Sequence, residues 1–294
     1  MSLAKNKSFV FSTLAFTCVT FVTGALSWWG PKLLEDALKT KQEADREIQP
    51  DSVAFIFGVI MMMAGIVGVP LGMVLSTQLK AKYPRVDPLI CAGGLICSAI
   101  FLCSGLALAH INVYVCFTLI FLGSVALNLN WSIIADMLLY IVTPTCRGTA
   151  EAIQILASHA FGDAGSPYLI GLVSANVQYS IDQWELCNKH KQIASFQVSD
   201  GLYQYLRNAG DGCALDEDNK DIIEGDCTKD VEFRFHSLQY SLFTNFGVEI
   251  IGGILFFITA IYIVRDKLAC ENASAGKTFT IDIKISLLLK SGES

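Results

Sequence analysis

Long apolar runs, rather than alternating polar and apolar positions, dominate this chain. A membrane-spanning α-helix needs roughly 20 apolar residues in a row, whereas a barrel strand would show about ten residues of alternating polarity. Six runs reach or approach the helical length: Ser8–Trp29, Val53–Leu75, Leu89–Ala109, Val113–Val142, Gly148–Val173 and Ser241–Val264. The first three contain no Asp, Glu, Lys or Arg. The pattern predicts an all-α integral membrane protein with six transmembrane helices.

Composition supports this class and separates the helices from one polar segment. The chain is 53% hydrophobic and 16% charged, against about 25% charged residues in soluble domains. We predict helices one to five in 1–174, an acidic extracytoplasmic loop in 175–240, the sixth helix in 241–267 and a cytoplasmic tail in 268–294. The loop holds twelve acidic and six basic residues, and three of the ten cysteines, Cys187, Cys213 and Cys227. Two of these could form a disulfide in an oxidising compartment, or all three could remain reduced.

Basic residues near the ends of the runs predict the orientation. Cytoplasmic loops of membrane proteins carry an excess of Lys and Arg. One side holds eight such residues: Lys5, Lys7, Lys80, Lys82, Arg85, Arg147, Arg265 and Lys267. The short loops of the opposite side hold four: Lys32, Lys39, Lys41 and Arg46. The count predicts that both termini are cytoplasmic.

Small residues and missing motifs limit the classes of function. Gly68 and Gly72 form a GxxxG motif around Pro70, which favours close helix packing, with helix bending as the alternative.

The sequence has no nucleotide-binding glycine fingerprint, no HExxH and no GxSxG motif. We therefore predict no enzyme activity, no cofactor, no metal site and no nucleic-acid partner.

Polar residues inside the apolar runs are the candidates for function, because ionisable groups there are costly and usually face a cavity or a partner. Asp136, Arg147 and Glu151 could form a charge cluster at the inner mouth, acting as a structural latch, or could belong to a solvated loop. His159 and Asp163 are four residues apart and share a helix face. His159 is then either a packing residue or a proton-exchanging or substrate-binding group. Trp28 is either an interfacial anchor or part of a cavity wall.

The most specific stretch is Asn130–Gly171, which reads NWSIIADMLLYIVTPTCRGTAEAIQILASHAFGDAGSPYLIG. It resembles the Spinster family of the major facilitator superfamily. FVTGALSWWGPK at Phe21–Lys32 is similar to the start of that family's second half, and SLQYS and RDK near the last run also fit. The resemblance implies a C-terminal half of a twelve-helix secondary transporter. Such transporters move lysophospholipids or sphingolipids such as sphingosine-1-phosphate, some with proton coupling, in late endosomal, lysosomal or plasma membranes.

We consider three hypotheses for the function of this chain. The leading one is a lipid-transporter half that works by alternating access with a missing N-terminal half or a full-length relative. Its cavity would be lined by the first, second, fourth and fifth spans, its gate would be the Asp136, Arg147 and Glu151 cluster, and its proton site would be His159 or Asp163. The alternatives are a truncated fragment or isoform without transport, and a membrane receptor that uses the acidic loop. The cavity candidates are Thr23, Trp28, Asn128, Asn130 and His159.

Overall fold

The computed structural model describes residues 3–39, 49, 52–109, 111–178 and 232–291. Over this part the chain is helical and contains no β-strand, which confirms the predicted all-α class. After a short 3-10 turn at Leu3–Lys5, four long helices follow: α1 (Lys7–Lys39), α2 (Val53–Lys80), α3 (Val86–Leu108) and α4 (Val113–Ile141). The rest comprises α5 (Arg147–Ala157), a π-helical segment (Ser158–Asp163), α6 (165–178), α7 (232–242) and α8 (Thr244–Ser291).

Five segments of the described part are long and apolar enough to cross a membrane: α1 to α4, and the stretch Glu232–Ala273 that contains α7 and most of α8. They coincide with five of the six predicted runs. The fifth run, Gly148–Val173, does not form one regular α-helix as predicted. It consists of α5, the π segment and α6, and neither α-helical piece alone has the roughly 20 residues that span a bilayer.

The π segment has a local cause in the sequence. Ala164 N–H donates to the carbonyl of His159, at 2.9 Å, which is a bond across five residues rather than four. Pro167 follows and has no N–H to donate to the carbonyl of Asp163. The Ser166 hydroxyl donates to that carbonyl instead, at 3.4 Å. The wide turn at Ser158–Asp163 is therefore where regular α-helical bonding is interrupted.

The helices pack in a defined order across the bundle. α3 packs on α4 and α8, α2 packs on α4, and α1 packs on α8 and on the π segment. The core lies among α1, α3, α4 and α8, where its largest fully buried side chains include Leu26, Leu95, Ile120, Met137 and Phe256. α2 is the most open spanning helix, since only 22% of its most apolar stretch is buried, against 61% for α1. One broad face of α2 is thus left for lipid or for another part of a larger assembly.

The glycine motif of α2 is a close helix contact. A Cβ on Gly68 would lie 2.7 Å from both the Asn128 Cβ and the Val125 carbonyl oxygen of α4. A Cβ on Gly72 would overlap the Leu129 carbonyl oxygen. These positions require glycine because the backbones of α2 and α4 approach each other directly. The contact supports the packing interpretation of the GxxxG motif.

The predicted segment boundaries differ from the observed helices at both sides of the acidic loop. α6 extends to residue 178, beyond the predicted limit of 174, and α7 begins at residue 232, inside the predicted loop. α8 continues through the predicted tail to Ser291. Cys187, Cys213 and Cys227, the candidates for a disulfide, lie outside the described residues.

Candidate functional site

The contact between α1 and the π segment forms the first part of the candidate site. The Thr20 hydroxyl donates to the carbonyl of Ser158 at 2.8 Å, and the Trp29 indole N–H donates to the carbonyl of Pro167 at 3.0 Å. Gly162 lies directly against Thr20. At 1.5 Å per residue, Thr20 is about 20 Å along α1 from Lys7, which places the Thr20 contact well inside the apolar run Ser8–Trp29.

His159 and Asp163 lie together on the π segment, as their spacing predicts. The His159 Nδ1 and an Asp163 carboxylate oxygen are in hydrogen-bond contact. The His159 side chain is 49% exposed and that of Asp163 35% exposed. The pair therefore faces away from the packed core. An imidazole hydrogen-bonded to a carboxylate can exchange a proton with a group that approaches this exposed side.

The other cavity candidates differ in exposure. Trp28 is 72% exposed, and Thr23 is partly buried with its hydroxyl donating to the Val19 carbonyl. Asn128 is partly buried against α2, where its side-chain amide donates to the Ser124 carbonyl. These three remain accessible or partly accessible.

Asn130 differs from the expectation for a cavity residue. It is fully buried, its amide donates to the Leu127 carbonyl at 2.9 Å, and it lies beside Gly94 of α3. Residues two apart on a helix point to different sides, so Asn128 meets α2 while Asn130 meets α3. The prediction that Asn130 lines the same cavity as Asn128 and His159 is therefore wrong in this arrangement. Its Oδ1 is buried without a hydrogen-bond partner among the described residues.

The predicted latch of Asp136, Arg147 and Glu151 is also not formed. Asp136 makes an ion pair with Lys80 of α2 instead. Arg147 donates to the Val142 carbonyl at 3.4 Å, and Glu151 is exposed. Within the described part of the chain, neither Arg147 nor Glu151 makes an ion pair with Asp136 or with each other.

A different charge cluster occupies this end of the bundle, and sequence reasoning missed it. Lys80 lies 2.8 Å from Asp87, a carboxylate that is only 2% exposed. Asp87 also accepts hydrogen bonds from the Ser76 hydroxyl at 2.6 Å and the Tyr140 hydroxyl at 2.7 Å. The Lys80 ammonium group lies 4.1 Å from the Tyr140 ring centroid. We call Ser76, Lys80, Asp87, Asp136 and Tyr140 the inner charge cluster; it joins α2, α3 and α4.

The sequence carried only a weak signal for this cluster. Lys80 and Asp87 flank the short turn between α2 and α3, while Asp136 and Tyr140 are four apart on one face of α4. Nothing in the spacing indicates which of these pairs meet, because Lys80 and Asp136 are 56 residues apart. The packing of α2 on α4 through Gly68 and Gly72 decides it.

Comparisons with solved structures define the class of fold. The chain is similar to a bacterial homologue of the human lysosomal transporter Spinster in an inward-facing, unoccupied conformation, with a TM-score of 0.66 over 88% of this chain and 48% of that chain. The inward-facing, occupied form of a bacterial homologue gives a TM-score of 0.63 over 90% of this chain and 51% of that chain. Identities of 15% and 16% limit these likenesses to the fold, which is that of a major facilitator superfamily transporter.

The sequence relatives of the chain are Spinster proteins. The chain is 44% identical to Protein spinster of Drosophila melanogaster over 290 residues, covering 94% of this chain and 45% of that protein. It is 36% identical to Protein spinster homolog 3 of Danio rerio, covering 94% of this chain and 47% of that protein. The chain is therefore a homologue of Spinster proteins along 94% of its length. It spans about half the length of these curated relatives, and no family model matches it.

Proposed function

We propose that this chain is the C-terminal half of a secondary transporter for a lipid-type substrate, such as a lysophospholipid or sphingosine-1-phosphate. The observation that carries the proposal is the Spinster relationship along 94% of the chain, together with the fold of a transporter described in an inward-facing conformation. Since the chain spans 45% of that relative, transport by alternating access requires a second half. The N-terminal half of a Spinster protein or a full-length relative supplies it.

The His159–Asp163 pair is the proposed proton-coupling site. It lies within the apolar run Gly148–Val173 on the exposed side of the π segment, where a carboxylate and an imidazole share a hydrogen bond. A proton taken up there changes the charge of the surface that a substrate headgroup would meet. Thr23, Trp28 and Asn128 are the further proposed contacts, with apolar walls for the acyl chain on α1, α2, α4 and the α5–α6 region.

The inner charge cluster is the proposed gate, replacing the latch of Asp136, Arg147 and Glu151. Asp87 of α3 is buried with three partners from two helices, α2 and α4, so separating α2 from α3 would break an ion pair to a desolvated carboxylate. We place this end and both termini on the cytoplasmic side, because this side has the eight basic residues Lys5, Lys7, Lys80, Lys82, Arg85, Arg147, Arg265 and Lys267, against four in the short loops of the other. A late endosomal, lysosomal or plasma membrane is the proposed location.

Reconstituted flux tests this function. The chain is co-expressed with the N-terminal half of a Spinster relative, placed in liposomes, and assayed with a fluorescent lysophospholipid and with sphingosine-1-phosphate, with and without a pH gradient. We expect uptake that needs both halves and that loses its pH dependence in His159→Ala. His236→Ala is the control, because His236 lies on α7 beside Gln239, away from the π segment. Absence of flux with both halves present would refute the proposal.

A second candidate function is that of a transport-inactive product that associates with a full-length relative. The observation that favours it is the open apolar face of α2, of whose most apolar stretch only 22% is buried and which another chain could cover. Co-expression with a full-length relative separates the two. An inactive partner lowers the flux of the relative, whereas a functional half restores flux to a complementary half that is inactive alone.

A further inference from the structure

A pair of cations surrounds an aromatic ring where the start of α1 meets α8, apart from the candidate transport site. The Lys7 ammonium group lies 4.8 Å from the Tyr262 ring centroid, and the Arg265 guanidinium carbon lies 5.2 Å from it. Because both lie about 5 Å from one centroid, the two charges are no more than about 10 Å apart. Phe11 stacks with Tyr262 at 6.1 Å and fixes the ring. We call Lys7, Tyr262 and Arg265 the Tyr262 basic patch.

The patch is not neutralised by its own acidic neighbour. Asp266 is 2% exposed, and its Oδ2 accepts hydrogen bonds from the Ser8 backbone N–H at 2.9 Å and the Ser8 hydroxyl at 2.8 Å. Its Oδ1 lies 3.4 Å from the Arg265 Nε. Lys7 has no carboxylate within 4 Å among the described residues. The one carboxylate that Arg265 contacts is thus buried and already bonded to α1, and Lys7 contacts none among the described residues.

The patch also lies on an apolar, outward-facing stripe of α8. Ile254, Phe257, Ile261 and Leu268 are all large apolar residues with 45% to 63% exposure. Their spacing of three, four and seven residues places them on the same helix face as Arg265. Ile254 to Arg265 covers about 17 Å of helix, and Leu268 continues the stripe beyond Arg265. A positive group therefore lies on this exposed apolar surface, about one acyl-chain length from Ile254.

This combination fits an amphiphile with a negative head. The side chains of Lys7 and Arg265 are exposed, 63% in the case of Arg265, and Arg is well suited to bind phosphate oxygens. Tyr is enriched at the level of lipid headgroups. Basic sites beside transmembrane helices bind anionic headgroups. We propose that the Tyr262 basic patch binds the phosphate of an anionic phospholipid whose acyl chain lies along the exposed stripe of α8.

Native mass spectrometry of the full purified chain tests the proposal with three probes: phosphatidylglycerol, phosphatidylcholine and glycerol phosphate. We expect phosphatidylglycerol to bind at least tenfold more tightly than phosphatidylcholine. The variant Lys7→Gln/Arg265→Gln should weaken phosphatidylglycerol binding roughly thirtyfold, since each basic group near the surface contributes about a fivefold effect. Phosphatidylcholine binding should stay unchanged, which also checks that the variant is folded.

The matched control is Lys82→Gln/Arg85→Gln, which removes two exposed positive charges from the α2–α3 turn near the same end of the bundle. It should change phosphatidylglycerol binding less than threefold. Equal losses in the two double variants would overturn the proposal in favour of diffuse electrostatic attraction. Competition by glycerol phosphate as strong as that by the lipid would overturn the lipid assignment in favour of a free-phosphate site. The single variants Lys7→Gln and Arg265→Gln give the same comparison if the double variant misfolds.

Discussion

Replacing Gly162 by alanine tests whether α1 and the π segment form a close, rigid contact. A Cβ at Gly162 would overlap the Thr20 hydroxyl and lie 2.9 Å from the Thr17 carbonyl oxygen. Rotation of the Thr20 side chain cannot relieve the second contact, because Thr17 contributes backbone. The substitution must therefore push α1 and the π segment apart, and weaken the bond from the Thr20 hydroxyl to the Ser158 carbonyl.

The expected loss in the free energy of unfolding is the sum of three contributions. Overpacking costs about 1–3 kcal/mol, and a hydrogen bond between helices in a membrane contributes about 0.6 kcal/mol. Alanine offsets up to about 1 kcal/mol through its better helix propensity. The expected net loss is about 2 kcal/mol. At roughly 2–4 °C per kcal/mol for a chain of this size, the unfolding midpoint should fall by roughly 4–8 °C.

Thermal unfolding of the purified chain in detergent measures this shift. Gly165→Ala is the matched control, because the nearest atom to its Cβ would be the Ala160 carbonyl oxygen at a comfortable 3.7 Å. Gly24→Ala tests the same contact from α1, where a Cβ would lie 2.6 Å from the Ser166 hydroxyl oxygen and 2.8 Å from the Asp163 Cα. If Gly162→Ala and Gly165→Ala unfold at the same temperature, the two segments do not pack as closely as the structure indicates.

Three further predictions concern other parts of the bundle. Lys80→Met removes the cation beside the buried Asp87 and should lower the free energy of unfolding by about 2 kcal/mol, since two hydrogen bonds to Asp87 remain. An unchanged midpoint of thermal unfolding would contradict the ion pair. Asn112→Ala removes the side-chain cap of α4 and should cost about 1 kcal/mol, while Asn112→Ser should restore most of it. Ser98→Ala should cost about 1 kcal/mol, because the hydroxyl donates to the 1% exposed Glu249 at 2.7 Å. In a Glu249→Leu background that cost should disappear, and strict additivity of the two changes would refute the bond.

The candidate site was predictable where it depends on neighbours along one helix. His159 and Asp163 are four residues apart, so their meeting on one face follows from helix geometry alone. The same geometry separates Asn128 from Asn130, although the sequence analysis proposed both as cavity residues. The burial of Asn130 beside Gly94 belongs to the packing of α4 on α3.

The charged residues at the inner end were predictable as a group but not as pairs. The sequence indicated that Asp136 and Arg147 lie near one end of the bundle. It favoured Arg147 as the partner because Arg147 is close in sequence. The observed partner is Lys80, which α2 brings to α4 through its glycine contact. Partner choice between charges on different helices depends on distances of a few ångströms, which only the packed bundle sets.

By itself, the sequence determined the membrane class, five of the six spans and the resemblance to Spinster proteins. Apolar run length is a local property, and hydrocarbon imposes helical hydrogen bonding on any segment that crosses it. The tertiary structure alone decided the burial of Asn130 and the pairing of Lys80 with Asp87 and Asp136. Within lipid there is little hydrophobic drive between helices, so their contacts depend on the fit of small residues and on matched polar groups from distant parts of the chain.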